Sequence, residues 1–573
     1  MKSVRPKLYL NLYWHMHQPD YRDTSSNEYV LPWTYLHAIK DYSDMAFHLE
    51  ENPKARVTFN FVPILLEQLE DYSNQFKRNF ISDPLLALLL KDNLAGISQA
   101  QCHLIVQSCF KSHHEKMLSP FPHYQRLLQL YQLTEPMKDA YLSAQYKADL
   151  LVWYHLAWCG ESLRRNNKVI QALMTKGVLF TLEDRQQLFS VISDTISGLI
   201  PRYKALMKTK QIEISTTPYY HPILPLLIDF KSTIDAMPYA PLPKYAKYAG
   251  GQNRAAAHVD AASKYHENLF GEKPRGMWPA EGGVSNAALS LMAEHGVEWA
   301  ATGQAVLANS LLKSQLGLGD KNEYLYQPYR VTNGKQDILC FFRDDNLSDK
   351  IGFEYAKMHT PDAVSDFVKT LEHIQLSNPH EYSRVVSVIL DGENAWEYYP
   401  YNGYYFLNEL YAALVNHPDI EMTTFSDMVD LYQSKEYEAK KISATPLPQI
   451  AAGSWVYGTF STWIGSKDKN LAWNLLCEAK EVYDSVLLKN NLDAAQLVLC
   501  ERQLAICEGS DWFWWFGDYN SSDSVASFDQ LYRRNLINLY TLLQQPVPAV
   551  LHKTISAGGG NADNAGTMRR GQA

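Results

Sequence analysis

Long apolar runs, paired cysteines and an excess of positive charge are all missing from this 573-residue chain. No stretch approaches the roughly 18 consecutive apolar residues of a membrane-crossing helix, which argues against a membrane role. The segment Met1 to Lys7 carries a little positive charge but runs into Leu8-Tyr9-Leu10-Asn11-Leu12-Tyr13-Trp14. That run is too short and too interrupted by polar residues for an export signal, so a cytoplasmic location is expected. Seven cysteines (Cys102, Cys109, Cys159, Cys340, Cys477, Cys500, Cys507) form an odd, scattered set without CxxC spacing. Reduced thiols follow, rather than a disulfide framework or a zinc site, and the sequons at Asn346 and Asn520 lose their meaning. A formal net charge of -9 gives no electrostatic reason for a nucleic-acid or acidic-membrane partner, and a neutral substrate fits better.

What is present is an ordinary globular composition, 46% hydrophobic and 20% charged, with an excess of rings: 37 Tyr and 13 Trp. Flat rings that stack on apolar sugar faces would use that excess, as would core packing. The length exceeds one compact core, so a large catalytic domain with at least one further module is expected. Strand-like runs open the chain at Leu8 to Tyr13 and Arg56 to Phe61. From about 65 to 205 Leu-rich amphipathic spacing predicts a helical insertion. Between about 210 and 400 strand-like runs (Ile212 to Ser215, Gly276 to Trp278, Trp299 to Thr302, Asp337 to Phe342, Val385 to Leu390) alternate with helical ones, the pattern of β/α units around a parallel sheet or barrel. Residues 401–555 read as a C-terminal helical domain with a Gly/Trp-rich break at 453–466, and 556–573 as a disordered tail.

In such folds chemistry collects where strands end, because side chains there converge on one mouth. Four polar clusters occupy that position: His15-Met16-His17-Gln18-Pro19, Glu213 to His221, Trp278-Pro279-Ala280-Glu281-Gly282-Gly283 and Asp391-Gly392-Glu393-Asn394-Ala395-Trp396. Two acids at strand ends suit glycoside cleavage, in which one carboxylate attacks the sugar and the other carries the proton. The bland alternatives are a Pro/Gly surface turn for Glu281 and an Asx-turn residue for Asp391. Glu393 is a rival acid, two residues on and facing the same way in an extended segment. His15, His17 and His221 could also chelate zinc, but no Asp or Cys partner stands at convincing spacing, so a zinc site is not expected.

Taken in order, His17-Gln18-Pro19, Glu213 to His221, Trp278 to Glu281, Asp391-Gly392-Glu393 and Trp463-Ile464-Gly465 resemble the five sequence regions of glycoside hydrolase family 57, over roughly residues 8–535. That resemblance implies an α/β fold, an incomplete (β/α)7 barrel spanning 1–400 with the 65–205 insertion, followed by a helical domain that contributes to the cleft. It also implies a retaining mechanism on α-glucans, with neither cofactor nor catalytic metal. Glu281 matches the nucleophile and Asp391 the general acid/base. His15, His17, Glu213 and His221 match substrate-holding or orienting positions, and Trp278, Trp396 and Trp463 are candidates for stacking on glucose rings. The segment Glu508 to Asp518 resembles a motif of the amylase and amylopullulanase branch, which makes Asp511 and Trp512 candidate substrate contacts. Arg343-Asp344-Asp345 also resembles that branch and is expected to form a structural loop. Hydrolysis of starch, glycogen or maltodextrins, at α-1,4 and conceivably α-1,6 bonds, is the favoured expectation. A 4-α-glucanotransferase or branching enzyme is the runner-up, and a noncatalytic carbohydrate-binding relative the third reading.

Overall fold

A computed structural model describes residues 7–133, 142–332, 334–377, 383–434, 444–489 and 492–560. Ten strands form the main sheet: β1 (Leu8–Met16), β2 (Val57–Phe61), β3 (Ile212–Thr216), β4 (Gly276–Met277), β5 (Trp299–Thr302), β6 (Tyr329–Thr332), β7 (Asp337–Phe342), β8 (Arg384–Asp391), β9 (Ile420–Thr423) and β10 (Thr445–Pro446). Their order is β8-β1-β2-β3-β4-β5-β7-β6-β10, with β9 also paired to β1. Only β6 and β7 run antiparallel. Seven parallel strands, β8 through β7 in that order, make the staves of an incomplete (β/α)7 barrel. Its two ends meet at one parallel bridge, Arg343 to Ser387.

The strands read as they do because both faces are covered. All nine residues of β1 are buried, and so are the first seven of β8, whose Val385 to Leu390 run is apolar apart from Ser387. Such continuous burial is what a parallel sheet wrapped by helices demands. Gly276 is required on β4: a Cβ there would lie 1.8 Å from the Trp299 indole. The barrel interior is filled with rings rather than left as a pore. Tyr13, Trp278, Trp299, Phe341 and Phe425 pack there, with Phe425 centred 4.5 Å from Trp299 and 4.6 Å from Phe341. Phe425 begins the helix Phe425–Gln433, which closes the end of the barrel opposite the mouth.

The 65–205 interval is helical, as expected, and its longest helix is Leu182–Lys208, started by a reciprocal cap between Thr181 and Asp184. Apart from a small cluster of Cys102, Val106 and Leu142, this block shares the core of the barrel. Tyr203 sits 5.1 Å from Phe59 and 4.7 Å from Phe61 on β2, and one apolar cluster runs through insertion, barrel and C-terminal helices. Helices Lys467–Leu488, Ala494–Cys507 and Ser522–Leu542 build the C-terminal part.

Two expected boundaries move. β9 and β10 lie beyond residue 400 yet pair with β1 and β6, so a cut at 400 would divide the sheet. Residues 556–560, expected to be part of a disordered tail, are packed: Ser556 is buried and accepts the Gly517 N–H, and Gly560 bridges to Ser521; residues 561–573 of that expected tail lie outside the described residues. All seven cysteines are buried and free of disulfides. No helix among the described residues is long and apolar enough to cross a membrane.

Candidate active site

Glu281 follows the end of β4 in a left-handed conformation, φ +57°, which costs a non-glycine residue about 1–2 kcal/mol. The surroundings hold it there. Its carbonyl accepts the Trp455 N–H at 3.2 Å, while its Oε2 accepts the Trp455 indole N–H at 3.0 Å. One tryptophan thus fixes both the backbone and the carboxylate of the acid. Gly282 is left-handed too, and a Cβ on it would press on the Trp278 ring and on the Cβ and backbone of Trp455.

Asp391 ends β8 directly opposite His15 on β1. Gly392 then turns the chain away, donating to the His15 carbonyl at 2.7 Å, in a place where a Cβ would meet Met16 Sδ at 2.3 Å. Burial pushes the Asp391 carboxyl up to about 6, opposed in part by the Asn394 amide that donates to Oδ2 at 2.8 Å and by His17 and Arg343 nearby. Arg343 is buried and donates to Asp345, to Asp349 and to the Ile389 carbonyl. Its guanidinium also lies 5.4 Å from the centre of the Trp455 ring. The indole that binds Glu281 therefore stacks on the arginine whose charge acts on Asp391.

Glu393, the rival acid, is buried behind this pair. It accepts only the His17 N–H and the Gln18 side-chain amide, each at 3.3 Å, and its Oε2 has no hydrogen-bond partner. Burial first, then the charges of Asp391 and Asp41, push its carboxyl well above the usual range. Its surroundings therefore disfavour a second anion beside Asp391.

Three imidazoles line the other side. His15 and Asn60 Oδ1 are 2.6 Å apart, and burial with the neighbouring His17 lowers the His15 pKa to about 3. His17 Nε2 is 2.7 Å from Asp511 Oδ1, which the C-terminal helices bring into the mouth. His221, at φ +59°, stacks on His17 with ring centres 3.9 Å apart, and Ser510 Oγ is 2.8 Å from its Nδ1. Burial and the other two histidines hold the His221 pKa well below its ordinary value.

Of the residues singled out from sequence, Glu281, Asp391, His15, His17, His221 and Asp511 converge here. The others do not. Glu213 lies lower on β3, and its carboxylate is occupied by the Trp299 indole N–H and by the backbone and hydroxyl of Ser426, so it ties the barrel to its closing helix. Burial raises its pKa, with those donors opposing. Trp278, Trp396, Trp463 and Trp512 are each at most 1% exposed, which leaves no face for a sugar. Trp278 packs on Tyr13, Trp396 on Trp14, Trp463 on Trp514 and Trp512 on Tyr532. Trp455 was missed, although the Gly/Trp-rich break at 453–466 drew notice. Arg343 was assigned a loop role and instead lies beside Asp391. The adjacency of Gly453 and Trp455 in an otherwise helical region was the available signal.

The mouth of this parallel barrel thus gathers three carboxyl groups and a bank of histidines. The chain belongs to glycosyl hydrolase family 57, whose profile matches residues 11–446. Its fold is similar to that of a family 57 branching enzyme from Thermococcus kodakaraensis (TM-score 0.56, 13% identity, covering 93% of this chain and 88% of that one). It is similar to the α-amylase AmyC from Thermotoga maritima (0.56, 14%, 94% and 93%) and to a family 57-type branching enzyme from Pyrococcus horikoshii (0.55, 14%, 97% and 98%). A search of curated proteins gave no match.

Proposed function

We propose that the chain is a retaining α-glucan hydrolase with Glu281 as nucleophile and Asp391 as general acid/base. The observation that carries this reading is the contrast between the two groups. Burial raises the Asp391 carboxyl to about 6, so it keeps its proton into mildly acidic pH and can pass it on, whereas the Glu281 carboxylate is held in place by the Trp455 indole N–H. In the first step Glu281 attacks the anomeric carbon and forms a glycosyl ester, while the Asp391 proton moves to the glycosidic oxygen, which leaves as a hydroxyl. In the second step Asp391, now a carboxylate, takes a proton from water; the water oxygen bonds to the anomeric carbon and Glu281 leaves. Trp455 keeps the nucleophile aimed. His17, His221 and Asp511 provide donors and acceptors for sugar hydroxyls.

The names of the similar structures support an α-glucan substrate, since they are amylases and branching enzymes. They also favour a second reading. Two of the three are branching enzymes, and a sugar hydroxyl in place of water in the second step gives transfer with the same catalytic pair. Incubating the protein with maltoheptaose and separating the products tests both readings. Shorter oligomers with a matching gain in reducing ends are expected, abolished in Glu281→Gln and reduced about 10²–10⁴-fold in Asp391→Asn. Longer or branched products without that gain would replace hydrolysis by transfer. Unchanged turnover in Glu281→Gln would sink the catalytic assignment.

A further inference from the structure

Three side chains at the mouth are arranged for more than sugar contacts. One donor atom from each of His17, His221 and Asp511 lies within 4.8 Å of the other two. The three come from far-separated segments: the exit of β1, the loop after β3 and the helix Asp511–Trp515. Among buried polar atoms without a hydrogen-bond partner, two belong to this trio, His17 Nδ1 and His221 Nε2. His221 is completely buried, and its Nε2 has no hydrogen-bond partner among the described residues. Leaving a buried polar nitrogen unpaired costs about 1–3 kcal/mol, and the strained φ at His221 adds to that cost. A structure that maintains both is holding that nitrogen in place for a ligand.

We infer that His17, His221 and Asp511 form a binding site for one divalent cation of the zinc class. Two imidazoles and one carboxylate are a donor set that zinc takes, at about 2.0–2.2 Å from each donor. In a tetrahedron such donors stand about 3.4 Å apart, so small side-chain rotations bring the three into range. The Ser510 hydroxyl beside His221 Nδ1 supplies the outer hydrogen bond that fixes a ligating histidine, leaving the Nε2 lone pair free. The Ser510 N–H also donates to the His221 carbonyl at 3.0 Å, so ring and backbone are clamped by the same residue. His15 is not among the donors that come within this range of one another. Three protein donors leave a fourth position, on the side of the partly exposed His17 and Asp511, for water or a substrate hydroxyl. The aspartate that spacing alone did not supply comes from the C-terminal helices, 494 residues from His17.

The inference does not depend on the catalytic assignment, and its test reads metal rather than turnover. Full-length protein, freed of metal by a chelator, is titrated with Co²⁺ and followed by its visible absorption, then with Zn²⁺ as competitor. One equivalent of Co²⁺ giving the intense bands of a low-coordinate site, displaced by one equivalent of Zn²⁺, is expected. Asp511→Asn, at a partly exposed position where the fold is retained, weakens uptake by more than about 100-fold, and His221→Gln does the same. Ser510→Ala, which removes only the outer hydrogen bond, weakens it about 10-fold. Absence of saturable uptake, or uptake undiminished in folded Asp511→Asn, overturns the site.

Discussion

Two buried glutamates, in two regions of the molecule, meet opposite fates. Glu508 lies between the helices Gly251–Phe270 and Ala494–Cys507, 1% exposed, and Glu393 lies behind the mouth, 3% exposed. Glu508 accepts from Tyr248, twice from Arg254 and from His258, all between 2.6 and 2.8 Å. Although burial opposes it, the Arg254 charge and these bonds pull its carboxyl down to about 2. Glu393 has two donors at 3.3 Å and two like-charged neighbours, and its carboxyl goes up. Equal burial therefore says little about charge; the supply of donors decides it. The helical region spends cations to make a permanent anion, whereas the mouth withholds them and keeps protons available.

The largest effect expected from this contrast is at Glu281. Glu281→Gln loses more than about 10⁴-fold in maltoheptaose turnover with an unchanged melting temperature, since the nucleophile is removed and its shape is not. Next is Glu508→Gln, which leaves Arg254 buried beside a neutral partner and lowers unfolding free energy by about 3–5 kcal/mol in urea titrations. Its sign with pH is fixed by the depressed carboxyl. The stabilisation is complete above about 4.5 and is lost as pH falls toward about 2, so the variant shows a flatter acid arm than the parent. A smaller effect follows at Asp391. As general acid it must carry its proton, so kcat/KM falls as pH rises through about 6. Asn394→Ala removes a bond that favours the carboxylate and moves that limb upward by up to about one pH unit. The smallest effect on activity is at Glu213: Glu213→Gln costs about 1 kcal/mol of stability and leaves kcat/KM within about twofold, and a larger loss would return that residue to the mouth.

Much of this arrangement is legible in the residues. Largely apolar runs mark β1 and β2 and a β-branched one marks β8, and each acid-bearing motif stands within a few residues of its strand end, because burial on both faces leaves a plain hydrophobic signature. Glu213 fails for an instructive reason. It lies in the same strand as a mouth-bound loop, but four residues before Thr217 it is one layer down, where Ser426 and Trp299 claim it. The tryptophans fail because a ring fit to stack on sugar is equally fit to fill a barrel, and spacing cannot separate the two. Trp455 and Asp511 reach the mouth only through tertiary packing, from segments 174 and 494 residues away from the partners they bind. No local pattern carries that distance.

The single bridge between Arg343 and Ser387 has a mechanical consequence. Glu281 rides beyond β4 and Asp391 at the end of β8, three staves apart by the short way round, and that route crosses the seam where the backbone ladder is all but absent. Along this arc Glu281 and Asp391 are linked through two side chains, the Trp455 indole and the Arg343 guanidinium stacked upon it. Loosening that link would let the jaws drift without unfolding a strand, which makes this seam the adjustable part of an otherwise rigid tool.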